Sequence, residues 1–214
     1  MGQEELATTR RSLHAVAELV LAGPQYRATG KLRLQVIPGG FATTTAMPQL
    51  RAVGTTVTGT GGVTAAIDGR TARAISAELG VAAGRPEAGY QDGAGGDLDQ
   101  TLTVDPDQAD LIMAALSLGH DALLALAPEQ TPVLWPEHFD VAIRADDTNF
   151  GVSPGDGFID QPYAYVGVSS VPAGDPFWNA PFGAARPLRD LGGVAAVTAF
   201  FDQGRQRSAL VQPD

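Results

Sequence analysis

The chain has no cysteine among its 214 residues, which excludes a disulfide, a thiolate metal site and a cysteine nucleophile. Lysine is nearly absent too. Lys31 is the single one, so the 14 basic residues are otherwise all arginine, a bias that points to a GC-rich genome rather than to a function. Positive charge is scarce overall: 24 acidic residues against 14 basic ones leave a net charge of −10. That balance opposes nucleic-acid backbones and anionic membrane surfaces, so neither is an expected partner. No apolar run approaches the roughly 18 residues that a membrane-spanning helix requires. The opening Met1-Gly2-Gln3-Glu4-Glu5 has neither the basic n-region nor the apolar h-region of a signal peptide. A soluble, cytoplasmic protein is the expectation.

What is present is a globular composition, 44% hydrophobic and 18% charged, in a length that suits one sizeable domain, 1–214, or two closely packed lobes. Leu13, Val16, Ala17, Val20 and Leu21 recur at helical spacing, and Gly23-Pro24 is the expected stop. Lys31–Ile37 alternates with a period of two up to Pro38-Gly39-Gly40, and weaker strands follow at Val53–Thr58 and Val63–Ile67. A short helix near Thr71–Leu79 ends the first lobe, residues 1–83. The glycine-rich stretch 84–100 reads as a loop or hinge. The second lobe, 101–214, opens with Asp105 as a cap and Pro106 in the first helical position, and its apolar stripe runs on to Pro128. Two strands, 138–144 and 163–168, precede a proline- and aromatic-rich stretch and a last helix at Val194–Gln203. Few strands are separated by the helices that parallel crossovers need. The expectation is therefore α+β: a mostly antiparallel sheet with helices packed on one face, in two similar lobes.

The chemistry concentrates between Trp135 and Tyr165. Alternation puts His138 and Asp140 on one face of their strand and Tyr163 with Tyr165 on one face of the other, opposite Phe139, Val141, Ile143, Ala164 and Val166. Lys31, Arg33 and Gln35 line the equivalent face of the first strand, where simple solvation is the plainer reading. His138-x-Asp140 can supply two metal ligands, or let the carboxylate orient the imidazole for proton transfer. Asp156, His14 and His120 are the residues from which a third ligand would come. A metal and a cofactor both stay undetermined. His14 and Glu18 share a helix face and read as a surface or core-edge pair.

Gly151-Val152-Ser153-Pro154-Gly155 has the spacing of a nucleophile elbow, but Pro154 has no N–H to offer an oxyanion and no helix follows, so a serine hydrolase is rejected. Gly59–Gly62 leads into a strand and reads as a hairpin turn rather than a phosphate loop. Phe177-Trp178-Asn179-Ala180-Pro181-Phe182 must bury its rings, either as a plug in the core or as a wall over a ligand cleft.

In order along the chain, Leu13-His14, Gly30–Leu34, Trp135-Pro-Glu-His-Phe-Asp140, Asn149-Phe-Gly-Val-Ser153 with Gly155-Asp156, and Pro162-Tyr-Ala-Tyr165 resemble a family of uncharacterised bacterial proteins. That family is classed as a domain of unknown function and is common in actinobacteria. The resemblance covers mainly the C-terminal half. It implies a similar architecture and a site at His138, Asp140, Asn149 and Asp156, and it carries no established activity.

The residues thus lead to a small-molecule cleft on the polar sheet face. His138 and Asp140 are the catalytic candidates for acid–base or metal-assisted chemistry, and Asn149, Asp156, Tyr163, Tyr165 and Trp178 are the substrate-binding candidates. The alternative is a non-catalytic module that buries this face and the aromatic loop against a protein partner or a second copy of itself.

Overall fold

The first helix outruns its expected stop. In the structure, a computed structural model that describes residues 2–86 and 93–209, an α-helix Gly2–Ala15 (α1) passes into a π-helical stretch Val16–Ala22 and then into a second α-helix Gly23–Thr29 (α2). The N–H of Gly23 bonds to the carbonyl of Glu18, five residues back. Pro24, which has no N–H to give, then falls at the start of the next α-helical register, where its missing bond disrupts nothing. The helix instead ends at Gly30, left-handed at φ +71°. Gly23 is kept small by close packing, since a Cβ there would lie 1.6 Å from the carbonyl oxygen of Gly84.

Among the described residues ten strands form one antiparallel sheet that crosses both halves of the sequence. In the first half these are β1 (Leu34–Ile37), β2 (Gly40–Thr43), β3 (Arg51–Val53), β4 (Thr56–Thr58) and β5 (Thr64–Ala66). In the second they are β6 (Val133–Trp135), β7 (Asp140–Ala145), β8 (Thr148–Ser153), β9 (Tyr163–Gly167) and β10 (Gly183–Pro187). The order is β10-β9-β8-β7-β6-β1-β2-β3-β4-β5, two five-stranded meanders joined where Leu34 of β1 faces Leu134 of β6. Helices α3 (Ala72–Glu78), α4 (Pro106–Leu126), α5 (Leu188–Leu191) and α6 (Val194–Ala209), with a 3-10 turn at Thr60–Gly62 between β4 and β5, complete the described elements. Asp105 caps α4 as expected, accepting from the Gln108 N–H at 3.0 Å.

Several expected boundaries move. Val53–Thr58 is two strands, because Gly54 at φ +53° turns the chain between β3 and β4. Gly39, at φ +70°, likewise makes a hairpin to β2 rather than an end. Asp146 and Asp147, both at positive φ, form a tight hairpin turn from β7 into β8, so the supposed connection between the two site strands is itself a strand. Of the stretch 84–100, residues 87–92 lie outside the described residues.

The sheet has one apolar face. Leu34, Leu134, Val141, Val152 and Ala164 form a buried row across five strands. Helix α4 lies directly on it: a Cβ at Gly119 would come within 2.6 Å of Val152, and the same distance separates a Cβ at Gly204 of α6 from Val166. Such contact leaves few voids and maximises burial, at roughly 25 cal/mol per Å². α4 also corrects one expectation. Its 21 residues, with a mean hydropathy of 1.5 over its most apolar window, are by length and composition enough to cross a membrane. Half of that window is buried, which fits the central helix of a folded core, apolar because it meets neighbours on several sides.

Candidate functional site

The opposite face of the second meander carries Asp140 and Ala142 from β7, Asn149, Gly151 and Ser153 from β8, and Tyr163 and Tyr165 from β9, in register. The two strands singled out in the sequence therefore share a sheet and a polar face, with β8 between them. One flank of α1, bearing Arg10 and His14, and the turn before β7 close this face into a cleft of about 680 Å³. A neighbouring hollow of about 490 Å³ shares Glu137, His138, Asp140, Asn149 and Tyr165 with it, so the polar groove continues past these residues.

Asp140 is the centre of this arrangement. It is only 6% exposed. The Tyr165 hydroxyl donates to its Oδ2, while Oδ1 is buried with no hydrogen-bond partner. Tyr165 reaches it from two strands away by lying across Gly151 of β8. A Cβ at Gly151 would stand 2.5 Å from the tyrosine hydroxyl, so only glycine leaves that path open. Burial pushes the Asp140 carboxyl up to about 6, partly offset by the Tyr165 hydrogen bond. Tyr165 is raised well above its ordinary value by the same burial and by the adjacent carboxylate, so its phenol stays a donor.

Asp156 and Tyr163 repeat the pairing with a different outcome. Asp156 Oδ1 accepts the backbone N–H groups of Phe158 at 2.7 Å and Ile159 at 3.0 Å. Its Oδ2 accepts the Tyr163 hydroxyl at 2.5 Å. Both oxygens are thus engaged in holding the loop after β8, an Asx turn with a tyrosine strut. Ser153 closes the same corner, its Oγ accepting the Gly155 N–H at 3.1 Å.

His138 does not stand on the strand. The chain turns over Pro136–Phe139, Phe139 has φ +54°, and β7 begins only at Asp140. The reversal sends Phe139 into the core, while His138 stays at the cleft rim, its side chain 60% exposed and Nε2 3.3 Å from Glu137. The expected orienting contact from Asp140 to His138 is not formed, because Asp140 faces Tyr165 and His138 faces Glu137. His14 lines the cleft instead. Its Nε2 lies 2.7 Å from the Pro136 carbonyl oxygen, to which it can donate, and its ring stacks on Phe139 at 5.4 Å. Burial holds its pKa below the ordinary value, which keeps it neutral near pH 7. Glu18, expected beside it, is wholly buried and bonded to Arg85 and to the Ala94 N–H. His120 sits on α4 beside Asp121, outside the cleft.

The aromatic loop divides. Phe177 and Trp178 join the main core, with Phe177 5.4 Å from Phe200 and 4.9 Å from Trp178. Trp178 is not among the residues lining the cleft; Phe182 is, packed edge-on to Tyr165. The sequence alone did not point to Arg10 and gave His14 only a marginal part, whereas Phe182 belongs to the aromatic segment expected as core plug or cleft wall, and it takes the wall. Arg10 and His14, four residues apart, share one side of α1, and that spacing was the available signal.

Among the described residues no group of three or more His, Asp or Glu side chains is arranged to hold a metal ion. Comparisons with protein-family models, with curated proteins and with solved structures return no match, so the site is read from its own geometry.

Proposed function

We propose that the polar face of the second meander is a small-molecule binding cleft in which Asp140 is the principal ligand acceptor. The observation that carries this is the unpartnered Oδ1 of Asp140. A buried carboxylate oxygen without a partner costs about 1–3 kcal/mol or more, and a ligand N–H or O–H would recover that cost. Tyr165 holds the other oxygen, fixing the carboxyl in place before any ligand arrives. Asn149 and His138 stand at the rim, where they can add polar contacts.

The cleft has the means for acid–base chemistry. A carboxyl whose pKa is pushed up to about 6 exchanges its proton near neutral pH, and exposed His138 is a second group able to relay it. Metal-assisted chemistry has no ligand set among the described residues. The alternative of a protein-docking face loses support because Phe177 and Trp178, its intended apolar contribution, are used in the core.

A ligand-observed NMR screen of small amines, amides and alcohols against wild-type protein and D140N tests the reading. Hits that bind the wild type and disappear in a folded D140N protein support it. Hits indifferent to D140N, or no hits from a broad set, contradict it.

A further inference from the structure

Resting on that reading, we infer that the ligand is two-headed: an anionic group, carboxylate or phosphate, sits on Arg10 at the α1 wall, and a protonated amine sits on Asp140. Arg10 is half-buried, one helical turn before His14, and lines the same cleft as Asp140. Its guanidinium is held close over the loop after β8. A Cβ at Gly155 would come 2.5 Å from Arg10 Nη1, and Gly155 has φ +110°, so the chain leaves room there for the arginine.

This cation has little to bond to within the protein. The only hydrogen bond described for it is a long one, 3.4 Å from Nη1 to the Asp160 carbonyl oxygen. Among the described residues no carboxylate lies within ion-pair distance, 4.0 Å, of it. Asp156 and Asp160 attract it through space and Arg11 repels it, yet both oxygens of Asp156 are already taken by the Asx turn and Tyr163. A guanidinium offers five N–H donors in a planar fork matched to carboxylate and phosphate. Most of that fork has no protein acceptor.

Of the charged groups that line the cleft (Arg10, Arg11, Glu137, Asp140 and Asp156), Arg10 and Asp140 are left short of protein partners and do not pair with each other. A ligand carrying only a positive charge would leave Arg10 desolvated and uncompensated, and a purely anionic one would leave Asp140 so. A molecule with both groups satisfies both at once. The net charge of −10 does not forbid the anionic half, because fields from charges more than about 8 Å away are largely screened at physiological salt.

The test is calorimetric titration at pH 7 of wild type, R10Q, R10K and D140N with ω-amino carboxylates from glycine to 6-aminohexanoate. Phosphoethanolamine serves as the phosphate-headed probe, and acetate and methylammonium as single-headed controls. One two-headed probe is expected to bind at least tenfold tighter than either control. R10Q is expected to bring it down to the methylammonium level, D140N to the acetate level, and R10K to keep part of the advantage. Which head is preferred separates a carboxylate ligand from a phosphate one. Affinity lost in D140N but unchanged in R10Q overturns this inference while leaving the Asp140 cleft intact. Two-headed probes that bind no better than the controls, or fail to bind, also overturn it; the screen with D140N then decides the cleft separately.

Discussion

Two aspartate–tyrosine pairs stand a few residues apart on the same sheet face, and they do opposite things. In the Asp156–Tyr163 pair every carboxylate oxygen has a partner, two of them backbone N–H groups. That carboxylate is exposed and shapes a loop. In the Asp140–Tyr165 pair the carboxyl is buried and one oxygen is unpartnered. The same two residue types thus make a structural strut in one place and an open acceptor in the other. What separates them is the backbone around them. The loop after β8 turns the Phe158 and Ile159 N–H groups toward Asp156, whereas beside Asp140 the Phe139 N–H closes the preceding turn on the Trp135 carbonyl.

The largest effect that would sharpen this contrast is the share of the pH dependence of stability that Asp140 contributes. Its folded carboxyl holds a proton up to about 6, against an unfolded value of 3.8. The native state therefore binds more protons across that interval. The contribution is complete below about pH 4 and is lost as pH rises through about 6, amounting to about 3 kcal/mol. Buried His14 contributes with the opposite sign in both proteins, so the readout is the stability of wild type minus that of D140N, which should fall between pH 4 and pH 7. Equal slopes in the two proteins would erase the distinction between the pairs.

Next is Gly151→Ala, expected to cost about 2 kcal/mol by forcing Tyr165 off its path. Losing the Tyr165 hydrogen bond should also move the Asp140 titration to higher pH, since that bond favours the ionised form. Unchanged stability would mean that Tyr165 does not need the space over Gly151. Asp156→Ala should follow at about 1 kcal/mol, from the lost Asx turn and tyrosine contact, with cleft ligands binding nearly as before. A binding loss as large as that of D140N would make Asp156 a ligand group after all. The smallest effect concerns Trp178: in Trp135→Phe protein its emission should be blue-shifted and unmoved by any cleft ligand, because it packs with Phe177 in the core. A ligand-dependent shift would return it to the cleft wall.

The sequence was most legible where period-two patterning was strong. Val141, Ile143, Ala164 and Val166 announced the apolar face, and with it the polar face that carries Asp140, Tyr163 and Tyr165. It was least legible where backbone turns break the pattern. Positive φ at Phe139 takes His138 off the strand, and the Asp146-Asp147 turn hides β8 inside what reads as a loop. β10 was obscured because its small residues, Gly183, Ala184 and Ala185, carry little apolar signal although they pair in full with β9. Arg10 stayed unread, and His14 was read only as a possible third metal ligand or a partner of Glu18, for a different reason. Their part in the site depends on a contact between α1 and strands more than a hundred residues away, which no local pattern encodes.

The cleft is defined above all by Asp140, a buried carboxyl with one oxygen unpartnered. Carbon-detected NMR titration of its side-chain carboxyl, in wild type and Tyr165→Phe, measures this directly. A midpoint near 6 in the wild type, moving higher in Tyr165→Phe, is the predicted result. A wild-type midpoint near the ordinary 3.8, unaffected by Tyr165→Phe, would contradict it.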